Sequence, residues 1–320
     1  MRTRWVAIGV ALLLGPGCSS GADRPPSAAP APATAFTVRV PERFASVAAG
    51  FGSQQQVWGS DSLGSDQPTT VLGREDGTHA ELVVRLTDFG GDQGGFDALV
   101  WGDDSTGVDD RPVGDDRARY VPDGDGRPAT LAVERGDDLA LVITGAGAAR
   151  DELVDVAERT DVSAGRSIAP VVRPSAGERV LGSASAEGVM ALRPFVAAPD
   201  RSGSEVPGGP RTYARAWWDR SARASLVGLA VPADALSIDV VRHLVAVRGD
   251  DELRVDAATV DGRAAVRMQR TFGLNGSTER YLVTTSSWGD RLVLVATAPT
   301  GVGASFEELA AVATSATPLD

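Results

Sequence analysis

The sequence contains the pattern GDDLALVI (residues 136–143) followed by DELVDVA (151–157), and the pattern recurs as GDRLVLVA (289–296) followed by EELAAVA (307–313). Each copy begins with a Gly-Asp turn and continues into a run rich in β-branched residues, which is typical of the second strand of a hairpin. The closing block of each copy has apolar residues at positions i, i+3 and i+4. This spacing predicts an amphipathic helix that packs on one face of a sheet.

The segments around the repeated pattern complete each copy. Both copies are preceded by an Asp-Gly-Arg stretch, at 125–127 and 261–263, in which glycine supplies the positive φ of a turn that opens a strand. The second copy has one additional strand at 279–285. The remaining segments predict strands at 36–40, 80–86, 212–217 and 224–231, and helices at 96–101 and 232–245.

The sequence therefore predicts an α+β fold with two similar modules, each a mainly antiparallel sheet with packed helices. The first module comprises residues 36–162 and is acidic, and the second comprises residues 178–320. A linker connects them at about 162–177. The length of the chain after residue 35 suits two domains better than one core.

The order of elements in the second module resembles the PsbP-like α/β/α sandwich, a fold that recurs in secreted lipoproteins of actinobacteria. The resemblance covers about 180–318, is weaker over the first module, and rests on the order of elements rather than on an invariant motif. It implies a non-catalytic accessory protein, because most members without a metal or chlorophyll context have that role. It transfers no functional residue to this chain.

The N-terminus has the features of an export signal. Arg2 and Arg4 precede an apolar run at 5–14, which as a helix spans only about 15 Å of a hydrocarbon core of roughly 30 Å. The next segment, GPGCSSG, contains Cys18, the one cysteine of the chain, and resembles the lipobox of bacterial lipoproteins. This predicts a signal peptide at 1–17, a lipidated Cys18 and a disordered tether at 18–35, with the protein anchored on the extracytoplasmic face of the cell membrane.

A second export route remains open. Ala31-Pro32-Ala33 has the small-x-small pattern that signal peptidase cleaves, and cleavage there would release a secreted, soluble protein.

The charged residues exclude several classes of function. The chain has 31 arginines and no lysine, which excludes Schiff-base catalysis, Ser-Lys dyads and P-loop phosphate binding. Residues 36–165 contain 11 arginines and 25 acidic residues. Because so acidic a segment repels phosphate backbones, we expect no nucleic-acid partner.

Candidate metal sites are weak. His79 and His243 have no partner at zinc-like spacing, so we expect both to be structural or surface residues and expect no cofactor. One loop crowds carboxylates among glycines, which suits calcium, but the spacing fits neither an EF-hand nor a nonapeptide calcium repeat. A solvated acidic loop is the alternative that we favour. Its candidate calcium ligands are Asp103, Asp104, Asp109 and Asp110.

Trp217 and Trp218 are the candidate contact residues. Neighbouring residues of a strand point to opposite faces, so one tryptophan is expected in the core and the other partly exposed. The exposed ring is a candidate for contact with a ligand or partner. The alternative is that both rings only pack in the core.

Together these observations predict a non-catalytic lipoprotein at the cell envelope that acts in protein interaction or ligand binding. Its expected partners are the membrane, through the N-terminal lipid, and an envelope protein or a small ligand. The alternative function is an extracytoplasmic hydrolase that uses carboxylates or a single histidine.

Overall fold

Two antiparallel sheets contain most of the strands in the computed structural model. The structure describes residues 35–51, 67–74, 81–91, 93–100, 107–124, 127–136, 138–192, 211–222, 224–244, 252–273, 276–288, 291–297 and 303–319. These residues belong to one compact unit. They combine short helices with mostly antiparallel sheet, which confirms the α+β class at that level.

The strands are short, and most have between four and nine residues. They are β1 (Phe36–Thr37), β2 (Ala45–Phe51), β3 (Thr69–Arg74), β4 (Leu82–Asp88), β5 (Ala118–Val121), β6 (Ala129–Glu134), β7 (Leu139–Gly145), β8 (Thr160–Asp161), β9 (Val171–Val172), β10 (Glu178–Ala184), β11 (Tyr213–Asp219), β12 (Ala224–Pro232), β13 (Glu252–Val260), β14 (Arg263–Thr271), β15 (Thr278–Thr285), β16 (Arg291–Thr297) and β17 (Thr317–Pro318). The helices are α1 (Gln93–Ala98), α2 (Arg150–Glu158), α3 (Ala186–Ala191), α4 (Val241–Leu244) and α5 (Phe306–Thr314).

The strands form two large sheets and two small ones. The first sheet has the order β5-β6-β7-β4-β3-β10, and the second has the order β13-β14-β15-β16-β12-β11-β2. Strands β1 and β17 pair with each other, as do β8 and β9. The pairing of β1 with β17 places the start of the described chain beside its end.

Each large sheet takes one edge strand from the other half of the chain. β2 pairs with β11 in the second sheet, where Trp218 lies opposite Ala45. β10 pairs with β3 in the first sheet, where Glu178 lies opposite Arg74. One strand from each predicted module, 36–162 and 178–320, therefore lies in the sheet of the other.

Both sheets are covered on two faces. On the faces that we call outer, Leu153 of α2 packs in the same apolar cluster as Ile143, and Leu309 of α5 packs in the same cluster as Val293. On the opposite, inner faces, α1 covers part of the first sheet, and α3 and α4 cover the second. Residues of both sheets meet in the inner core, which includes Val83 of β4.

Several sequence predictions are confirmed. The two closing helices are α2 and α5, and the strand expected at 279–285 is present as β15, although its place in the sheet matches that of β6, so β15 is not the additional strand. The Asp261-Gly262 turn has φ of 51° and 73°, the left-handed backbone that the Asp-Gly pattern predicts for a tight hairpin, and Arg263 then opens β14. The predicted helix at 96–101 is present but lies earlier in the chain, as α1.

The predicted helix at 232–245 is wrong over its first part, 232–237. Pro232 ends β12, and the chain then turns so that Leu236 bridges to Ala184 at the end of β10. The backbone N–H of Ser237 donates to the carbonyl of Ser183, 2.9 Å away. Because these bonds to β10 use the backbone groups that a helix would need, helical turns begin only at Ile238.

Candidate functional site

A cleft of about 580 Å³ lies where α5 begins, on the outer face of the second sheet. Its lining combines charged, hydroxyl and aromatic side chains. We call it the α5 cleft, and it is lined by Arg43, Asp219, Ser221, Ala222, Arg280, Gly303, Ser305, Phe306 and Glu308. Its volume is in the range of sites that hold small molecules.

Arg43 reaches the cleft because the chain between β1 and β2 runs along α5. β1 pairs with β17, which follows α5, and the N–H of Arg39 then donates to Ser315 Oγ at 2.8 Å. From there the chain runs back toward the start of the helix. Arg43 is thus placed next to Glu308, 265 positions away in the sequence.

Asp219, the last residue of β11, is held by the turn that follows it. Its side chain is 2 % exposed, and Oδ1 accepts hydrogen bonds from the Ser221 N–H (2.8 Å), the Ser221 hydroxyl (2.6 Å) and the Ala222 N–H (3.2 Å). Oδ2 lies 3.3 Å from Arg43 Nε. The hydrogen bond from the Ser221 side chain is the main reason why the pKa of Asp219 is lowered.

Glu308 links Arg43 to the helix start. Its two carboxylate oxygens lie 2.5 and 2.8 Å from the guanidinium nitrogens of Arg43. It also closes a capping box, because it accepts from the Ser305 N–H while its own N–H donates to Ser305 Oγ. The hydrogen bond from Arg43 is the main cause of a lowered pKa at Glu308, so this carboxylate is ionised at neutral pH.

Arg280 of β15 is the second cation of the cleft. Its Nε and Nη1 donate to Gln269 Oε1 and to the Ala304 carbonyl, both at the long distance of 3.4 Å. No carboxylate of the described ranges lies within 4.0 Å of its guanidinium. Nearby, the guanidinium carbon of Arg267 lies 5.6 Å from the ring centre of Phe306. Arg280 is therefore the lining group best able to accept an acidic partner.

The tryptophan pair alternates as predicted. Trp217 is 3 % exposed and packs in the outer core of the second sheet, whereas Trp218 is partly exposed. Neither residue lines the α5 cleft. The proposed role of Trp218 in contact with a ligand or partner stays a prediction.

Asp109 and Asp110, the two candidate calcium ligands with described positions, lie in ion pairs with arginine. Asp109 accepts from Arg111 at 2.5 Å and lies 3.2 Å from Arg150, and the hydrogen bond from Arg111 is the main reason why its pKa is lowered to about 2. Asp110 lies 3.8 Å from Arg119. Asp103 and Asp104 lie outside the described residues. These ion pairs engage oxygens that a calcium ion would need, and no metal-binding group of three or more His, Cys, Asp or Glu occurs among the residues with described positions.

His243 lies in α4 and does not line the α5 cleft. Its ring is 18 % exposed, and Nε2 lies 2.7 Å from Glu81 Oε2. Burial, followed by the charges of Arg242 and Arg85, lowers its pKa to about 4, so the ring is neutral at pH 7. His79 and Cys18 lie outside the described residues.

The charged residues of the α5 cleft were not predicted from the sequence. Two local signals were present: the Asp-x-Ser pattern at Asp219, which favours a side-chain-to-backbone turn, and the Ser-x-x-Glu pattern at Ser305, which favours a capping box. Arg43 and Arg280 carry no such signal. Their position depends on strand pairing alone.

Comparison with known proteins gives no information about the function of this chain. No protein-family model, curated protein or solved structure matches the chain. Within the described ranges, every helix is too short or too polar to cross a bilayer. Function is therefore inferred from the geometry of the cleft.

Proposed function

We propose that this protein is a lipid-anchored, extracytoplasmic binding protein that holds a small polar ligand in the α5 cleft. The observation that carries the proposal is the Arg43 bridge, which ties Asp219 and Glu308 together at the mouth of a cleft with Arg280 in its lining. Because strands and a capped helix position these groups, the cleft is organised before a ligand arrives. Such preorganisation lowers the entropic cost of binding.

The electrostatics of the cleft favour binding over hydrolysis. A carboxylate pair that hydrolyses glycosides needs one member that keeps its proton at the working pH, which requires a raised pKa. The pKa values of Asp219 and Glu308 are both lowered by hydrogen bonds. Both are ionised at neutral pH, which suits recognition of hydroxyl or amine groups and not donation of a proton.

The ligand that fits this lining carries an acidic group for Arg280 and hydroxyl or amine groups for the two carboxylates. Ser221, Ser305 and Phe306 add hydrogen-bonding capacity and one apolar surface. A ligand with these features is a small sugar acid, a hydroxy acid or an amino acid derivative. An envelope protein that presents the same groups on a side chain is included in this class.

The test is a thermal-shift screen with small sugar acids, hydroxy acids and amino acids, followed by calorimetry on the wild type, Arg280→Gln and Arg254→Gln. Arg254 is the control, because its side chain is 68 % exposed on β13 and does not line the cleft. Loss of one charge-assisted hydrogen bond of about 1.5–3 kcal/mol should weaken binding about 10- to 100-fold in Arg280→Gln only. Equal affinities for the two variants, or no ligand in the screen, would count against the proposal.

The proposed anchor is acylated Cys18, followed by the tether at 18–35, and the proposed location is the extracytoplasmic face of the membrane. The support is the lipobox-like segment that follows the apolar run at 5–14. Mass spectrometry of the N-terminal peptide should find acyl chains on Cys18, and Cys18→Ser should release the protein from the membrane fraction. An unmodified N-terminus that begins just after Ala33 would support the secreted, soluble alternative instead.

We further propose that the two sheets are copies of one duplicated unit, related to the PsbP-like sandwich over the second copy. The support is a shared order: a hairpin (β3-β4 or β11-β12), a three-strand meander (β5-β6-β7 or β14-β15-β16) and a closing helix (α2 or α5). In both sheets the last meander strand lies beside the second hairpin strand. The edge strand that comes first in each copy, β2 or β10, is exchanged between them, and β13 is an addition to the second.

A further inference from the structure

Two polar side chains on the inner face of β4 lack adequate partners among the described residues. Arg85 and Thr87 are two positions apart, so they point to the same face, about 7 Å apart along the strand. Across the sheet, Arg85 lies opposite Val142, and Thr87 lies opposite Ala140. Both of these apolar residues pack in the cluster around α1, so the two polar groups lie beside an apolar surface.

The Arg85 guanidinium has one weak hydrogen bond. Its Nη2 donates to the carbonyl of His243, in α4, at the long distance of 3.4 Å. No carboxylate of the described segments lies within 4.0 Å of it. Burial is the cause of a lowered pKa at Arg85, and no neighbouring acid opposes it. A cation in such surroundings is costly unless an anion accompanies it.

Thr87 is the second observation, and it is independent of the charge on Arg85. The residue is 5 % exposed, and its Oγ1 is buried with no hydrogen-bond partner in the described part of the chain. Buried hydroxyls normally have a partner, and an unpaired one destabilises the fold. The hydroxyl and the guanidinium project from the same face of one strand, and both are short of hydrogen-bond acceptors. One acceptor group between them would satisfy both.

We propose that Arg85 and Thr87 bind an oxyanion, the carboxylate or phosphate group of a small ligand, between the first sheet and α4. The guanidinium donates two parallel hydrogen bonds to it, and the Thr87 hydroxyl donates a third. Arg85 is partly exposed, which leaves a route for the ligand. The site lies on the first sheet and does not depend on the α5 cleft.

The charged groups at the rim are compatible with an anion. Glu81, just before β4, is engaged by Arg242 and by the ring of His243, and Asp88, the last residue of β4, pairs with Arg166. Arg242 adds a second positive charge beside α4. The competing explanation for Arg85 is structural, since a cation near the last carbonyls of a helix stabilises that helix.

The test measures thermal unfolding of the full chain at pH 7 in increasing sodium phosphate or sodium acetate, with sodium chloride holding the ionic strength constant. The variants are Arg85→Met and Thr87→Val, which keep side-chain size, and the control is Arg254→Gln, whose side chain is 68 % exposed on β13 and lines neither site. Phosphate, acetate or both should raise the Tm of the wild type and of the control. The apparent affinity for the effective anion should fall about 10-fold or more in Arg85→Met and about 3-fold or more in Thr87→Val.

The unfolding temperatures without added anion separate the two explanations. If the site awaits a ligand, both variants should unfold at or above the wild-type temperature, because each removes an unpaired polar group. A Tm of Arg85→Met well below wild type, with an unchanged anion response, would overturn the proposal in favour of a helix-stabilising role. A wild type that responds to neither anion would overturn it as well. A response to one anion alone supports the site and identifies the ligand group as a carboxylate or a phosphate.

Discussion

Truncation of a buried side chain in the first sheet should destabilise both sheets by the same amount. Leu141 of β7 is fully buried and packs in the cluster around α2. Leu141→Ala should cost about 3 kcal/mol, the usual cost of a buried leucine truncation that leaves a cavity. Because β2 and β10 are exchanged between the sheets, neither sheet is complete without the other half of the chain. The two sheets should therefore unfold together.

Tryptophan fluorescence can report on the second sheet alone. The chain has six tryptophans, and replacing Trp5, Trp58 and Trp101 with phenylalanine leaves three emitters, all in the second half. For a large domain, the free energy of unfolding falls by about 3 kcal/mol per molar urea. A loss of about 3 kcal/mol should therefore lower the fluorescence midpoint by about 1 M. Far-UV circular dichroism should give the same midpoint.

The reasoning fails if Leu141→Ala leaves the fluorescence midpoint in place while circular dichroism shows a separate, earlier transition. That result would mean that the sheets unfold independently despite the exchanged strands. Leu319→Ala is the matched control, because this leucine is 49 % exposed and its truncation should leave both midpoints unchanged.

Three further predictions concern single residues. Gly188→Ala should lower stability by about 1–3 kcal/mol in thermal denaturation, because a Cβ there would overlap the Ala235 carbonyl oxygen. Tyr281→Phe should cost about 1.5–3 kcal/mol, since the buried hydroxyl donates to a carboxylate at 2.6 Å. NMR titration of a His79→Gln variant, which has one imidazole, should give a pKa of about 4 for His243. Because this pKa lies below the unfolded value of about 6.5, the unfolded chain takes up the proton first, so the contribution of His243 to stability should fall as the pH drops from 6.5 toward 4.

Each of these predictions has a clear contrary outcome. Gly124→Ala is the control for the glycine, because nothing lies within 4 Å of a Cβ at that position, and equal stability of the two variants would contradict the packing argument. For Tyr281, a variant as stable as the wild type would mean that the hydrogen bond contributes nothing net. For His243, a pKa above 6.5 would show that Glu81 outweighs burial.

The local elements of this chain could be predicted because local sequence patterns encode them. Leu153 and Val156 in α2, like Leu309 and Val312 in α5, have the helical spacing that places apolar groups on one side, and all four are buried. The segment at 232–245 has a similar apolar spacing, but its first part, 232–237, forms the end of β12 and a turn, and helical turns begin only at Ile238. There, backbone pairing with β10 outweighed the local preference.

The α5 cleft was beyond prediction from the sequence, for a different reason. Arg43 and Glu308 meet because β1 pairs with β17, and nothing in their own neighbourhoods specifies that contact. A cleft lined by the ends of strands and the start of a helix depends on how those elements are arranged in the fold. No catalytic or metal-binding sequence motif therefore indicates the cleft.

Local sequence patterns were enough to specify the α+β class, the closing helices and the Asp261-Gly262 turn, since each depends on side-chain periodicity or on a backbone angle that few residues adopt. The sheet edges that β2 and β10 occupy, in contrast, are specified by the assembled fold and not by local patterns. Strands pair through backbone N–H and C=O groups, which are the same in nearly every residue, so a strand edge does not identify its partner. The choice is made by which faces become buried, and burial is a property of the assembled sheets.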